Sequence, residues 1–119
     1  PLNGGGFAIL NGMMLDEHGQ FVEMETPYPG GNLLSLASGG AIYVRDPHHK
    51  IHRDQLNGGH FARFTERDWE LLLPYLKENE RLFGVKLEEL LTVKEQLREP
   101  DAVYRKISPD NMQILQDNQ

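Results

Sequence analysis

The chain of 119 residues contains no cysteine. That excludes disulfides, thiolate nucleophiles and cysteine-ligated iron–sulfur clusters within it. It also lacks long apolar runs. None approaches the roughly 18 to 20 residues that span a bilayer, and the N-terminus shows no basic-then-apolar signal pattern. No membrane partner is expected, and the expected location is cytoplasmic. Positive charge is in deficit: 12 Lys and Arg stand against 18 Asp and Glu, a net charge of −6 with pI near 5.3. Such a chain does not attract phosphate backbones, so nucleic acid is not an expected partner. Hydrophobic residues make up 39%, slightly low for a chain that must bury its own core. Surfaces held against a partner, or membership of a larger body, would account for it.

Glycine is scarce in one half. Of the 12 glycines only Gly84 follows Gly59. The others gather at Gly4-Gly5-Gly6, Gly30-Gly31, Gly39-Gly40 and Gly58-Gly59, with Gly12 and Gly19 between. Short apolar runs separate these clusters, which suggests tight corners between strands of a wound β-structure. Phe7–Leu10 is one such run. The stretch from Asn11 to Met24 predicts a hairpin with its tip at Asp16–Gly19. Pro27 and Pro29 exclude helix and impose an extended loop. Ala41-Ile42-Tyr43-Val44 is the clearest strand, β-branched and aromatic. Pro47 to Asn57 is polar and loop-like, and His60–Phe64 can form one more strand.

The character changes near residue 65. Thr65-Glu66-Arg67-Asp68 resembles a capping box, with Asp a shorter arm than the usual Glu. Trp69, Leu72, Leu73, Leu76 and Phe83 recur at helical spacing. Pro74 predicts a kink or break within that run, and Gly84 a helix stop. Leu87 to Leu97 predicts a second helix, with Leu87, Leu90, Leu91 and Leu97 buried and Pro100 ending it. Ala102 to Ile107 reads as extended, and Ser108-Pro109-Asp110 as a third helix start. The fold class is therefore α+β in one domain, residues 1–119. Glycine-cornered strands of β-helix or β-roll type occupy 1–64, and a helical cap of two or three helices occupies 65–119.

No constellation for catalysis emerges. A proline at position 1 can serve as a base in some tautomerases, but those start with a β-α-β unit and Pro1 here runs into Asn3-Gly4-Gly5-Gly6. No Gly-x-Ser-x-Gly elbow frames Ser35 or Ser38. The glycine clusters precede strands, whereas phosphate-binding loops follow a strand and open a helix. Glu78, Glu80, Glu88 and Glu89 suit solvated helix faces. His48 and His52 are weak metal candidates, because Lys50 and Arg53 repel a cation and no cysteine completes a ligand set. Tyr28, Asn32, Arg45 and Asp46 flank the best strand and mark where a binding site would lie, although Arg45 with Asp46 reads equally as a plain ion pair. Gly30, Gly31, Gly39, Gly40, Gly58 and Gly59 read as structural turns. No cofactor is expected.

The ordered pieces Gly30-Gly31-Asn32-Leu33, Ser38-Gly39-Gly40-Ala41-Ile42-Tyr43-Val44-Arg45-Asp46, Gln55-Leu56-Asn57-Gly58-Gly59, Leu76 to Gly84 and Val103 to Asp110 resemble the end of the C-terminal β-helical domain of the glutamate synthase large (alpha) subunit. The family's Gly-x-Gly-x-Gly repeat and its earlier β-helix turns have no counterpart. Its glutaminase nucleophile, flavin barrel and iron–sulfur cysteines lie in other domains. The resemblance implies a non-catalytic scaffold domain or subunit of an oxidoreductase-associated assembly for glutamate biosynthesis. The expected partner is another protein or a second copy of the chain. The competing expectation is a small metal- or anion-binding module using the His48–His52 loop.

Overall fold

The computed structural model describes residues 7–28, 30 and 40–110. It is an α+β fold with eight short strands and three helices among those residues. Strands β1 (Ala8–Leu10), β4 (Ile42–Arg45), β5 (Gly59–Ala62) and β8 (Tyr104–Pro109) form the main sheet. Their order is β1-β4-β8-β5. β1 runs parallel to β4, pairing Ile9 with Tyr43. β4 and β5 both run antiparallel to β8, pairing Val44 with Arg105 and Phe61 with Ile107. The parallel pair is what successive rungs of a wound stack would give. The two antiparallel pairs are not.

The predicted hairpin forms from β2 (Met13–Leu15) and β3 (Phe21–Glu23). The Asp16 carboxylate fixes its tip by accepting from the amides of His18 at 2.8 Å and Gln20 at 2.9 Å. Such a side-chain turn is the local preference of Asp.

α1 spans Glu66–Phe83 behind the Thr65 cap. Both arms of the capping box are present, the short Asp68 arm included: its Oδ2 accepts from the Thr65 amide at 2.8 Å. Pro74 does not break the helix, which is continuous through it. Pro74 and Glu70 are both exposed, so the carbonyl that loses its proline donor faces water. Gly84 ends the helix in the left-handed region (φ 81°), donating its amide to Glu80 O at 2.9 Å. A side chain at that φ would be strained.

The second helix is much shorter than expected. α2 covers only Leu87–Leu91. β6 (Thr92–Val93) and β7 (Gln96–Leu97) then form a two-residue hairpin. Lys94 and Glu95 turn it at φ 50° and 67°. The leucine spacing pointed to helix, but the β-branched pair Thr92-Val93 favours the strand, and Val93 is buried there. Leu97 and Phe83, expected in the core, are each 67% exposed. Pro100 opens α3 (Pro100–Val103) at its first turn. The helix expected at Ser108 is absent at its start: Ser108 and Pro109 are the last residues of β8. Residues 111–119 lie outside the described residues.

The sheet is covered on both faces, which is why all four residues of β4 are buried. On the helix side Tyr43, Leu72, Leu76, Leu90, Val103 and Tyr104 pack together. On the other face Ile42, Val44 and Ile107 meet Ile51 and Leu56. These last two come from the segment between Pro47 and Asn57, which carries one 3₁₀ turn at Arg53–Gln55. A polar loop thus covers the sheet with two apolar anchors. Gly58 (φ 101°) turns that segment into β5, a backbone conformation open to glycine at little cost.

Candidate functional site

Arg45 and Asp46 are adjacent but serve different layers. Arg45 is buried on the helix side. Its Nε donates to Leu90 O at 2.7 Å and its Nη2 to Thr92 O at 3.2 Å. Its Nη1 donates to Glu23 Oε2 at 3.0 Å. The guanidinium thus caps carbonyls at the end of α2 and ties the β2–β3 hairpin to the sheet. Asp46, also buried, faces the loop layer. It accepts from the amides of Lys50 (2.7 Å) and Ile51 (3.0 Å) and from Arg105 Nη1 (3.1 Å). The two residues do not form an ion pair with each other; each is held by other partners.

The remaining sequence candidates do not converge on them. Tyr28 is half-buried against the loop-side core. Its carbonyl and that of Gly30 both accept from Gln55 Nε2 at 2.8 Å. Asn32, Gly31 and Gly39 lie outside the described residues. Gly40 sits at a bend before β4 and Gly59 is the first residue of β5. His48 Nε2 is 3.4 Å from Glu23 Oε2, the oxygen that also holds Arg45. His52 is exposed and precedes the 3₁₀ turn, its amide donating to Gln55 Oε1. Among the described residues no group of three or more His, Asp or Glu side chains is placed to hold a metal ion. None of their helices is long and apolar enough to cross a membrane.

The most developed polar network was not read from the sequence. Asp68, buried at the third position of α1, accepts from Tyr43 Oη at 2.6 Å through Oδ1. Lys106 Nζ lies 2.9 Å from the same oxygen. Oδ2 accepts from the Thr65 amide and, at 2.9 Å, from the Thr65 hydroxyl. Burial pushes the Asp68 carboxyl up, but the donors Tyr43, Thr65 and Lys106 outweigh it and hold it at about 2. Burial, then the hydrogen bond to Asp68, pushes the Tyr43 hydroxyl well above its ordinary value. Burial likewise raises Tyr104, against the opposing charge of Arg45. The Tyr104 hydroxyl donates to Asn11 Oδ1 at 2.7 Å.

This chemistry is that of an anchor. A carboxylate with so low a pKa and four close donors is a poor general base near neutrality. A tyrosine raised this far stays protonated and holds its bond. The one available signal was the carboxylate of the capping box itself, since the cap takes one of its two oxygens and leaves the other for a second partner.

The surface has a different character. Leu71, Tyr75 and Leu82 lie on one stripe of α1, 42%, 55% and 54% exposed. Phe83 continues the apolar end of the helix. On the β2–β3 hairpin Met14, Leu15 and Val22 are exposed. Among the described residues β1 is paired on one side only. Comparison with known protein families, with curated proteins and with solved structures gave no match.

Proposed function

We propose that the chain is a non-catalytic structural unit that docks into a larger protein assembly, of the glutamate-synthase-like kind that its sequence resembles. One observation carries the docking part: large apolar side chains stand exposed along one stripe of α1 and on the β2–β3 hairpin. Scattered exposed leucines are ordinary, but an aligned stripe of them, beside the face of α1 that already buries Leu72 and Leu76, suits a surface held against another protein. The polar side chains that could have built an active site, Arg45, Asp46 and Asp68, are engaged in holding the layers together. The assembly's identity rests on the ordered resemblance alone.

Sedimentation of the purified chain across a concentration series tests the reading. Self-association is expected, and Leu71→Glu with Leu82→Glu should leave a monomer of unchanged circular dichroism. A chain that stays monomeric throughout, and binds no more hydrophobic dye than that double variant, overturns it.

A further inference from the structure

A cleft of about 270 Å³ opens between the first turn of α1 and the start of α3. Phe64 and Trp69 form its aromatic wall, both half-buried. Behind them lies the buried Tyr104 ring, its centroid 6.5 Å from each. Tyr43 meets Phe64 edge-on at 5.9 Å. The two rings are thus fixed from behind by core aromatics.

The polar lining is of one sign. Glu66, Glu99 and Asp101 line the cleft and no basic side chain does. Among the described residues none of these three carboxylates lies within 4.0 Å of a lysine, arginine or histidine nitrogen. Asp46 and Asp68, by contrast, both have basic partners. Arg63, Arg105 and Lys106 line a neighbouring cleft that shares Phe64 and Asp101. There Lys106 is engaged by Asp68, and Arg105 by Asp46 and by the Phe61 ring at 3.6 Å.

Glu66 and Asp101 occupy the first turns of their helices, where a carboxylate offsets the helix dipole. That role does not exhaust the charge. A helix end is equivalent to roughly half a positive charge, and α3 is a single turn. Three carboxylates leave the cleft negative. An aromatic wall beside negative charge attracts a cation carried on an apolar stem.

We propose that this cleft receives an arginine side chain presented by a basic segment of a partner protein. A planar guanidinium stacks on a fixed ring while its N–H fork donates to carboxylates, which a compact ammonium cannot do in both ways at once. The cleft's size suits one side chain, and the net charge of −6 draws a basic segment toward it. The inference stands apart from the scaffold reading, since it uses neither the α1 stripe nor the hairpin.

Trp69 is the sole tryptophan, so tryptophan fluorescence comes from the wall of this cleft. The probes are blocked pentapeptides at low salt, with a central arginine, lysine or citrulline in a glycine–serine background. Citrulline keeps the shape of arginine without its charge. The arginine peptide should give a saturable change in emission, and the lysine peptide should bind several-fold more weakly. The citrulline peptide should give no saturable change. Glu99→Gln with Asp101→Asn should weaken arginine binding about tenfold with unchanged circular dichroism. No saturable response to the arginine peptide overturns the proposal, as does an equal response to citrulline. A lysine peptide that binds as tightly overturns the assignment to arginine. If the double variant misfolds, the arginine–citrulline comparison on the unaltered chain still decides.

Discussion

Asp68 shows how much one carboxylate can organise. It completes the α1 cap, receives the Tyr43 hydroxyl from β4 and meets Lys106 of β8. Helix and two central strands thus share one ionised group, and its titration is felt by the fold. Its pKa is about 2 in the folded chain against an ordinary 3.8. A depressed folded value means the stabilisation is fully present above the unfolded pKa and is lost as pH falls through the folded one. The contribution, about 2 kcal/mol, should therefore fade between about pH 4 and pH 2. In Asp68→Asn that part of the dependence should vanish. Urea unfolding of both proteins at stepped pH checks this. The difference between them should be large at neutrality and shrink by about 2 kcal/mol on acidification; a constant difference would sink the assignment.

At the scale of elements, legibility followed the strength of local chemistry. The β2–β3 hairpin was readable because Asp16 and Gly19 each determine a turn by their own side chain or lack of one. The β4 strand was readable because its residues suit burial on both faces. The α1 cap and its glycine stop were readable for the same local reason. Pro74 does not end the helix because the penalty of an internal proline falls when the freed carbonyl faces water. The β6–β7 hairpin misled. Its turn residues Lys94 and Glu95 carry no turn signal, yet both adopt the left-handed region, and the leucine period runs through them. Tertiary burial of Val93 decided the matter, which no local pattern displays. That turn is strained, since its geometry is the one that Asn-Gly fills without cost. Lys94→Asn with Glu95→Gly should stabilise the chain by about 1 kcal/mol. A denaturation midpoint that fails to rise in the double variant would count against the strain.

At the scale of the molecule, the glycine-rich and leucine-rich halves do not build separate layers. β8, from the second half, lies between β4 and β5, from the first. The sequence showed an extended segment at Ala102–Ile107, of which Ala102 and Val103 belong instead to α3 and the rest to β8; it did not show the strand's place, because sheet order is set by non-local pairing. Alternation along the chain separates the sequence candidates Arg45 and Asp46: one anchors the helix layer, the other the loop layer and Arg105 of β8. The opposite sides of a strand are a backbone fact that adjacency in sequence hides. A chain built this way should not divide at residue 64. Fragment 1–64 retains the β1–β4 pair but leaves β4 and β5 without the strand that joins them, and the helix-side residues Tyr43 and Ile9 without α1. Fragment 65–119 retains α1 but loses the sheet it covers. Neither buries enough apolar surface to offset the entropy of ordering its backbone. Each should therefore give a disordered amide spectrum alone, and an equimolar mixture should regain dispersed signals as β8 pairs between β4 and β5. A folded spectrum from fragment 1–64 by itself would show that β8 is an accessory to that sheet rather than its centre.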